Sequence, residues 1–349
     1  MPFQYGYHVD MRARTLPACP RATGGAMDER PVRFGVISCA DIAWRRTLPV
    51  LAAAPQVRVT AIGSRDPDRA ALFADRFGGT PVPDYRAVLE RDDVDAVYVP
   101  LPTGLHREWV ERALLADKHV LVEKPTTVRL TETEDLLALA RERGLVLREN
   151  MTFPHHTLHA EVRRLLASGA IGELRELSAS FGIPPRAPQD IRYRPELGGG
   201  ALLDVGVYPV RAALEFLGPG LEVAGAVLRT EPASGVDVAG GALLARQDGV
   251  TAQVSFGFAH AYRNTYALWG SLGRLSVDRV YSAPAALRPV VRLERQDRIE
   301  ELTLGAYDQF DGSIGAFVRA VRGARPGDAW AMVEQARLVD TIRDRATVL

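Results

Sequence analysis

Residues 32 to 43 read Val-Arg-Phe-Gly-Val-Ile-Ser-Cys-Ala-Asp-Ile-Ala, and this stretch decides the fold. Its first half is a β-branched run typical of a buried strand, and its second half is a turn of small residues. Ser38, Ala40 and Ala43 stand where a dinucleotide-binding turn usually carries glycine, which lets pyrophosphate approach the amides of the next helix. Because the glycines are missing, the turn alone does not separate such a unit from an ordinary strand–helix connection.

Strands and helices alternate from this stretch through residue 150. Strand-like runs are predicted at 57–63, 96–100, 119–122 and 145–148. Apolar residues at helical spacing predict helices at 69–77, 105–116 and 130–143. Asp66 and Pro67 form an N-cap and a first-turn proline, whereas Pro49 should interrupt the first helix. The alternation predicts an α/β fold, and we assign residues 31–150 to a dinucleotide-binding Rossmann domain with a parallel sheet.

The second half of the chain has a different pattern. Helices are predicted at 158–167, 200–217, 310–321 and 330–345. Strands at hairpin spacing are predicted at 173–181, 236–246, 251–258, 264–269 and 274–277. We assign residues 151–349 to an α/β domain with a mainly antiparallel open sheet. Residues 1–30 contain prolines and glycines without apolar periodicity, which predicts a flexible tail.

Composition excludes several classes of function. The 349 residues carry 43 basic and 43 acidic side chains, so no bulk field would attract nucleic acid or a membrane surface. No apolar run approaches the roughly 18 residues that a membrane-spanning helix needs. Cys19 and Cys39 make no disulfide framework, which favours a reducing cytoplasm. We therefore expect a cytoplasmic protein without nucleic-acid or membrane partners.

Two segments carry the strongest chemical signal. Lys118 and Lys124 are the only lysines among many arginines, and lysine can tune its pKa where arginine cannot. Lys124 lies in Val-Glu-Lys-Pro at the end of a predicted parallel strand, where open α/β sheets bind ligands. The second segment, residues 198 to 208, reads Gly-Gly-Gly-Ala-Leu-Leu-Asp-Val-Gly-Val-Tyr. If it is helical, Asp204 and Tyr208 share a face. The alternatives are that Tyr208 is a tyrosine of the hydrophobic core and that Asp204 is a helix-capping or surface carboxylate.

The end of the second strand bears on the choice of cofactor. Enzymes that choose NAD often place a carboxylate there to bind the ribose 2′-hydroxyl. This chain has Ser64 and Arg65 instead, and a guanidinium suits a 2′-phosphate. The alternative is that Arg65 is a solvated surface residue. The pair favours NADP(H) over NAD(H).

These segments together resemble the glucose–fructose oxidoreductase/inositol dehydrogenase family over residues 32–345. The resemblance includes the glycine-poor turn, Pro-Leu-Pro-Thr at 100–103 followed by His106, Glu-Lys-Pro at 123–125, and the run ending at Tyr208. Many members carry histidine where this chain has Tyr208. The tyrosine form, with Arg-Glu-Asn-Met-Thr-Phe-Pro-His-His at 148–156 followed by His159, looks most like the nucleotide-activated deoxysugar 3-ketoreductases of actinobacterial antibiotic pathways.

The resemblance implies NADPH-dependent reduction of the C-3 ketone of a dTDP-linked 3,4-diketo-2,6-dideoxyhexose. It also implies a cis peptide before Pro125, and a homo-oligomer (dimer or tetramer) formed through the open sheet. The implied catalytic residues are Lys124 and Tyr208. The expected cofactor-binding residues are Ser38, Cys39, Ala40, Asp41, Ile42, Ser64, Arg65, Leu101, Thr103, His106, Glu123 and Lys124. The expected substrate-binding residues are Lys124, Asn150, His156, Arg192, Asp204 and Tyr208.

The roles of these side chains are open to more than one interpretation. We predict that Tyr208 donates the proton. Lys124 would polarise the substrate carbonyl and would lower the pKa of the tyrosine from about 10. Lys124 could instead be the donor itself. Asp204 would orient a sugar hydroxyl or Lys124, and Glu123 would position the lysine or the nicotinamide ribose. The arginines of the preceding loop could contact the diphosphate or be solvated: Arg186, Arg192 and Arg194.

Three further interpretations complete the sequence predictions. The histidines at 155, 156 and 159 lack a carboxylate or cysteine at ligand spacing, so we predict no metal. A dehydrogenase of free sugars or trans-dihydrodiols would share Lys124 and Tyr208 but would need no diphosphate site. A non-catalytic dinucleotide-sensing module is a remote alternative, because cofactor binding alone does not require both residues.

Overall fold

A six-stranded parallel sheet forms the first half of the computed structural model, which describes residues 30–323 and 329–349. Its order is β3-β2-β1-β4-β5-β6. The strands are β1 Val32–Ile37, β2 Val57–Gly63, β3 Thr80–Val82, β4 Ala96–Val99, β5 His119–Val122 and β6 Leu147–Glu149. The helices on its two faces are α1 Leu48–Ala53, α2 Pro67–Phe77, α3 Tyr85–Leu89, α4 His106–Leu115 and α5 Leu130–Glu142. The predicted Rossmann architecture is confirmed.

A nine-stranded mixed sheet dominates the second half, in the order β14-β13-β12-β11-β7-β10-β9-β8-β15. Its strands are β7 Leu174–Gly182, β8 Glu222–Thr230, β9 Asp237–Ala245, β10 Thr251–Gly257, β11 Arg263–Gly270, β12 Arg274–Asp278, β13 Val290–Arg295, β14 Arg298–Thr303 and β15 Thr347–Val348. The β7–β10 and β8–β15 pairs are parallel and the other pairs antiparallel. The accompanying helices are α6 Thr157–Ala167, α7 Val207–Leu217, α8 Gln309–Val321 and α9 Ala329–Arg345.

Local sequence signals explain several boundaries. Asp66 caps α2 by accepting hydrogen bonds from the amides of Asp68 and Arg69, as predicted. Pro49 lies in the first turn of α1, directly after a π-helical turn at Ala43–Thr47. A second π-helical turn, Leu202–Gly206, precedes α7, so the segment predicted as one regular helix is wound differently at Asp204. Residues 1–29 of the predicted tail lie outside the described residues.

Helix α8 crosses between the two halves of the chain. Phe310, Ile314 and Phe317 share a hydrophobic cluster with Phe34 of β1, and the rings of Phe34 and Phe317 lie 5.4 Å apart. The Rossmann sheet therefore completes its core with residues far beyond residue 150. The boundary at 150/151 stays a prediction. No helix within 30–323 or 329–349 is long and apolar enough to cross a membrane.

Candidate active site

Lys124 lies in a turn that is held rigidly at the carboxyl end of β5. The peptide between Lys124 and Pro125 is cis, which confirms the expectation. His106 is completely buried, with Nδ1 2.8 Å from the carbonyl oxygen of Pro125 and Nε2 2.7 Å from that of Leu101. Because both ring nitrogens face backbone carbonyls, His106 acts on the site through the backbone. Direct contact of His106 with a cofactor stays a prediction.

The structure brings Lys124, Asp204 and Tyr208 together. Lys124 Nζ donates to Oδ1 of Asp204 at 2.8 Å and to its backbone carbonyl at 2.6 Å. The same nitrogen lies 5.1 Å from the centre of the Tyr208 ring. Asp204 is therefore neither a helix cap nor a free surface carboxylate. The lysine ammonium has a fixed place beside the tyrosine.

The ionisation of these groups follows from burial and neighbouring charges. Burial alone would raise the pKa of Asp204, but Lys124 and Arg192 outweigh it and hold that pKa well below its ordinary value. Burial works to lower the pKa of Lys124, yet Asp204 outweighs it, so the pKa is raised and the side chain stays an ammonium. Burial raises the pKa of Tyr208 to about 12, although Lys124 opposes the rise. Lys124 therefore acts on the tyrosine pKa in the predicted direction, but burial outweighs it, and the net pKa lies above the ordinary value instead of below it.

Arg192 ties the preceding loop to the site. Its Nε donates to Oδ2 of Asp204 at 2.6 Å, and its Nη1 donates to Oδ1 of Asp190 at 3.1 Å. Arg194 likewise donates to Glu196 at 2.7 Å. Diphosphate binding by Arg192 stays a prediction, and two carboxylates already engage its Nε and Nη1.

We expect Asp204→Asn to destabilise the protein by about 2 kcal/mol at neutral pH, because Lys124 and Arg192 lose their shared counter-charge. The folded pKa of Asp204 is depressed, so its contribution is present above the unfolded pKa of about 4 and is lost as the pH falls through the folded value. Urea unfolding of both proteins from neutral to acid pH should show the difference shrinking with acidification. A difference independent of pH would contradict the charge argument.

Glu123 is held by buried side chains of the parallel sheet. Its Oε1 accepts hydrogen bonds at 2.7 Å from both the Tyr98 hydroxyl and Asn150 Nδ2. Oδ1 of Asn150 accepts from the Ser313 hydroxyl at 2.9 Å, so the amide is engaged at both ends. Substrate contact by Asn150 stays a prediction. Sequence reasoning missed Tyr98, for which the one available signal is a phenol within an otherwise apolar strand.

The predicted cofactor turn follows β1. Ser38 has φ 100°, a conformation that favours glycine and that explains why related turns carry it. The carbonyl of Cys39 accepts from Arg69 Nε at 2.7 Å, and Asp41 lies 3.3 Å from another Arg69 nitrogen. Arg69 of α2 therefore holds the turn in place. Sequence reasoning missed Arg69 because it lies about 30 positions along the chain from the turn. Leu101 and Thr103 border the neighbouring connection after β4.

His156 and His159, which follow β6, are engaged by groups within the protein. His156 is buried and caps α6, with Nδ1 accepting from the Leu158 amide at 3.0 Å. His159 lies 3.0 Å from the Tyr266 hydroxyl, and burial lowers its pKa to about 3. Across the described ranges, no three His, Cys, Asp or Glu side chains cluster as metal ligands. Substrate contact by His156 stays a prediction.

Two family models match the chain. One is described as an oxidoreductase family with an NAD-binding Rossmann fold and matches residues 32–151; the other, the GFO/IDH/MocA C-terminal domain, matches 159–276. The chain belongs to the Gfo/Idh/MocA oxidoreductase family. A relative from Actinomadura kijaniata named dTDP-3,4-didehydro-2,6-dideoxy-alpha-D-glucose 3-reductase is 56% identical, over 90% of this chain and 96% of its own length. The D-xylose 1-dehydrogenase (NADP(+)) 2 of Haloferax volcanii is 32% identical, over 90% and 97%.

Among solved structures, this Gfo/Idh/MocA member is similar in fold and sequence to a ketoreductase. The crystal structure of a 3-ketoreductase from Actinomadura kijaniata with NADP and TDP-benzene has a TM-score of 0.90 and 55% identity, and covers 92% of this chain and 99% of that chain. Variants of that ketoreductase replace one lysine by alanine and one tyrosine by phenylalanine. The two replaced residues are separated there by the same number of positions as Lys124 and Tyr208 are here.

The predicted role of Arg65 in cofactor choice can be tested in this Gfo/Idh/MocA member. Ser64 is buried after β2, its hydroxyl accepts from the Asp66 amide at 3.1 Å, and Arg65 is exposed beside it. If Arg65 binds the 2′-phosphate as predicted, Arg65→Gln should raise the KM for NADPH about 10- to 100-fold, because that charge-assisted contact would be lost, and should leave the KM for NADH unchanged. Steady-state kinetics with both cofactors would check this. The control is Arg58→Gln at the opposite end of β2, and equal losses for both cofactors would contradict a 2′-phosphate contact.

Proposed function

We propose that this protein is an NADPH-dependent reductase of the C-3 ketone of dTDP-3,4-didehydro-2,6-dideoxy-alpha-D-glucose or a closely related sugar nucleotide. The observation that carries the proposal is the placement of the Lys124 ammonium 5.1 Å from the Tyr208 ring, in a chain 56% identical to a reductase named for that substrate. A cation beside a phenol suits the reduction of a ketone, since an alkoxide develops that must be stabilised and protonated.

The residues of the cofactor end fit NADPH. Residues 38–40 turn tightly before a helix N-terminus, which suits a pyrophosphate, and Ser64 and Arg65 offer a hydroxyl and a guanidinium for a 2′-phosphate. NADPH supplies the hydride when it is bound. Glu123, fixed by Tyr98 and Asn150, is positioned to orient the cofactor ribose or Lys124.

The chemical step depends on three side chains. Lys124 stays an ammonium and stabilises the developing alkoxide oxygen. Tyr208 stays a neutral phenol across the physiological range, so its hydroxyl is available to donate a proton to that oxygen. Asp204 holds the ammonium in place through the 2.8 Å ion pair and is itself held by Arg192. We assign Arg192 to this positioning task and leave the diphosphate contact to Arg186, whose side chain is exposed.

The outer face of the nine-stranded sheet supports the proposal of a homo-oligomer. Large apolar side chains are exposed on separate strands of this sheet, including Val227, Trp269 and Ile299, with 43%, 59% and 59% exposure. An exposed apolar face of this kind is typical of an interface. Sedimentation analysis should give a dimer or tetramer of the 38.1 kDa chain, and a monomer would overturn this part of the proposal. A cytoplasmic location belongs to the same proposal.

The deciding experiment is an assay of NADPH oxidation with the enzymatically generated dTDP-diketo sugar. We expect rapid turnover to a 3-hydroxy-4-keto sugar, identified by mass spectrometry and NMR. D-Xylose and a trans-dihydrodiol are the comparison substrates, because they share the chemistry but lack the diphosphate. Turnover of those compounds with none of the sugar nucleotide would replace the proposal by the free-sugar or dihydrodiol alternative.

A further inference from the structure

A buried carboxylate that is not one of the proposed reacting groups contacts the turn that carries Lys124. Glu149 ends β6, and its side chain is only 2% exposed. Its Oε1 accepts from the backbone amide of Thr126 at 2.9 Å, two residues after Lys124. Gln335 of α9 donates to both oxygens, at 2.9 and 3.2 Å. One end of this carboxylate therefore holds the turn that carries Lys124.

The other end of the carboxylate faces the helix of Tyr208. Oε2 lies 3.5 Å from Nη1 of Arg211, whose side chain is 4% exposed on α7. Arg211 follows Tyr208 by three residues and so lies about one helical turn along. A displacement of the Glu149 carboxylate would therefore change the position of the Lys124 turn relative to the Tyr208 helix.

Stability alone does not explain the choice of a buried ion pair. Removing two charges from water is unfavourable, and apolar residues of similar volume often serve a core equally well. Burial raises the pKa of Glu149, and Arg211 and Lys124 oppose that rise. The carboxylate nevertheless makes directional contacts at both of its ends, to the Thr126 amide and to Arg211, which an apolar side chain could not make.

We propose that Glu149 is a positioning residue that couples the two catalytic side chains, through Thr126 to Lys124 and through Arg211 to Tyr208. The inference rests on the proposed function, since it assumes that Lys124 and Tyr208 act on one carbonyl. Misplacement of reacting groups by about 1 Å can cost about 100-fold in rate. Glu149 thus affects kcat without touching substrate or cofactor.

The test uses the double variant Glu149→Gln/Arg211→Met, which removes both charges and leaves neither buried alone. We expect kcat for the dTDP-diketo sugar to fall about 10- to 100-fold, with Tm and the dissociation constant for NADPH near wild type. The matched control is Glu215→Gln: Glu215 also accepts from Arg211, at 2.9 Å, but does not contact the Lys124 turn. Its kcat should stay at the wild-type value.

A second measurement separates positioning from a general structural effect. In a Tyr208→Phe background, the double variant should lower kcat by less than about 3-fold, because residues that act as a unit are non-additive. Should the double variant fail to fold, Glu149→Asp keeps the charge but shortens the side chain by one methylene, and it must show the same fall in kcat at unchanged NADPH affinity.

The outcomes distinguish this inference from the proposed function. Wild-type enzyme that does not reduce the sugar nucleotide would overturn the proposed function. Wild-type turnover with an unchanged kcat in the double variant, or in Glu149→Asp, would overturn the coupling and leave the function intact. Additive losses in the Tyr208→Phe background would also overturn the coupling.

Discussion

Tyr208→Phe should lower kcat about 100- to 10,000-fold with NADPH affinity unchanged, because the variant removes only the hydroxyl that protonates the alkoxide. Burial raises the pKa of Tyr208 to about 12, so the wild-type donor stays protonated and its kcat should not fall on the alkaline side until the pH approaches that value. Stopped-flow measurement of NADPH oxidation, with fluorescence titration of NADPH, would measure both quantities.

Tyr281 provides a matched control for that variant. Its ring lies 5.6 Å from the Tyr208 ring, and its buried hydroxyl lacks a hydrogen-bond partner among the described residues. Tyr281→Phe should therefore change kcat by no more than about twofold, since no hydrogen bond is lost. If Tyr208→Phe instead kept most of the wild-type kcat, Lys124 would be the proton donor.

Lys124→Ala should lower kcat about 100- to 1,000-fold, because the developing alkoxide loses its nearest fixed cation. Lys124→Arg should not restore the rate: a planar guanidinium differs from a compact ammonium in shape and hydrogen-bond geometry. The KM for the sugar nucleotide and the dissociation constant for NADPH should change far less than kcat. Steady-state kinetics and cofactor titration would separate these effects.

The other lysine of the chain is the natural control. Lys118 donates to the carbonyl of Arg91 at 2.9 Å, on the opposite end of the parallel sheet from Lys124. Lys118→Ala should leave kcat unchanged. Loss of NADPH affinity alone in Lys124→Ala, with turnover otherwise intact, would support the dinucleotide-sensing module over the reductase.

Periodicity was sufficient to predict the elements whose apolar faces are continuous. Helices α2, α4 and α5 and strands β4 and β5 lie within a few residues of their predicted bounds, whereas the short β3 and α3 were not predicted. The β13–β14 hairpin escaped prediction because its exposed positions carry charge, as in the pair between Arg292 and Glu294, and dilute the apolar alternation. Strand β8 was missed for a related reason, since glycine and alanine give it little strand character.

The catalytic candidates and their neighbour Asp204 could be chosen from sequence, but the more distant supporting residues could not. Lys124 and Tyr208 stand out because of residue type and local motif. Glu149 and Gln335 act through a contact that spans 186 positions, and no local spacing marks such partners. The net rise of the tyrosine pKa was missed because burial is a property of the assembled fold, and here burial outweighs the lowering by Lys124 that the motif predicted.

Helix α8 has a consequence for the order of events during synthesis. During translation β1 is synthesised long before Phe310, Ile314 and Phe317, which pack against Phe34 in the folded protein. The nascent Rossmann half therefore emerges with an uncovered apolar strip, and its core closes only once the C-terminal quarter has been made. A fragment ending at residue 150 should be insoluble or chaperone-bound, and competence to bind nucleotide should arise late in translation.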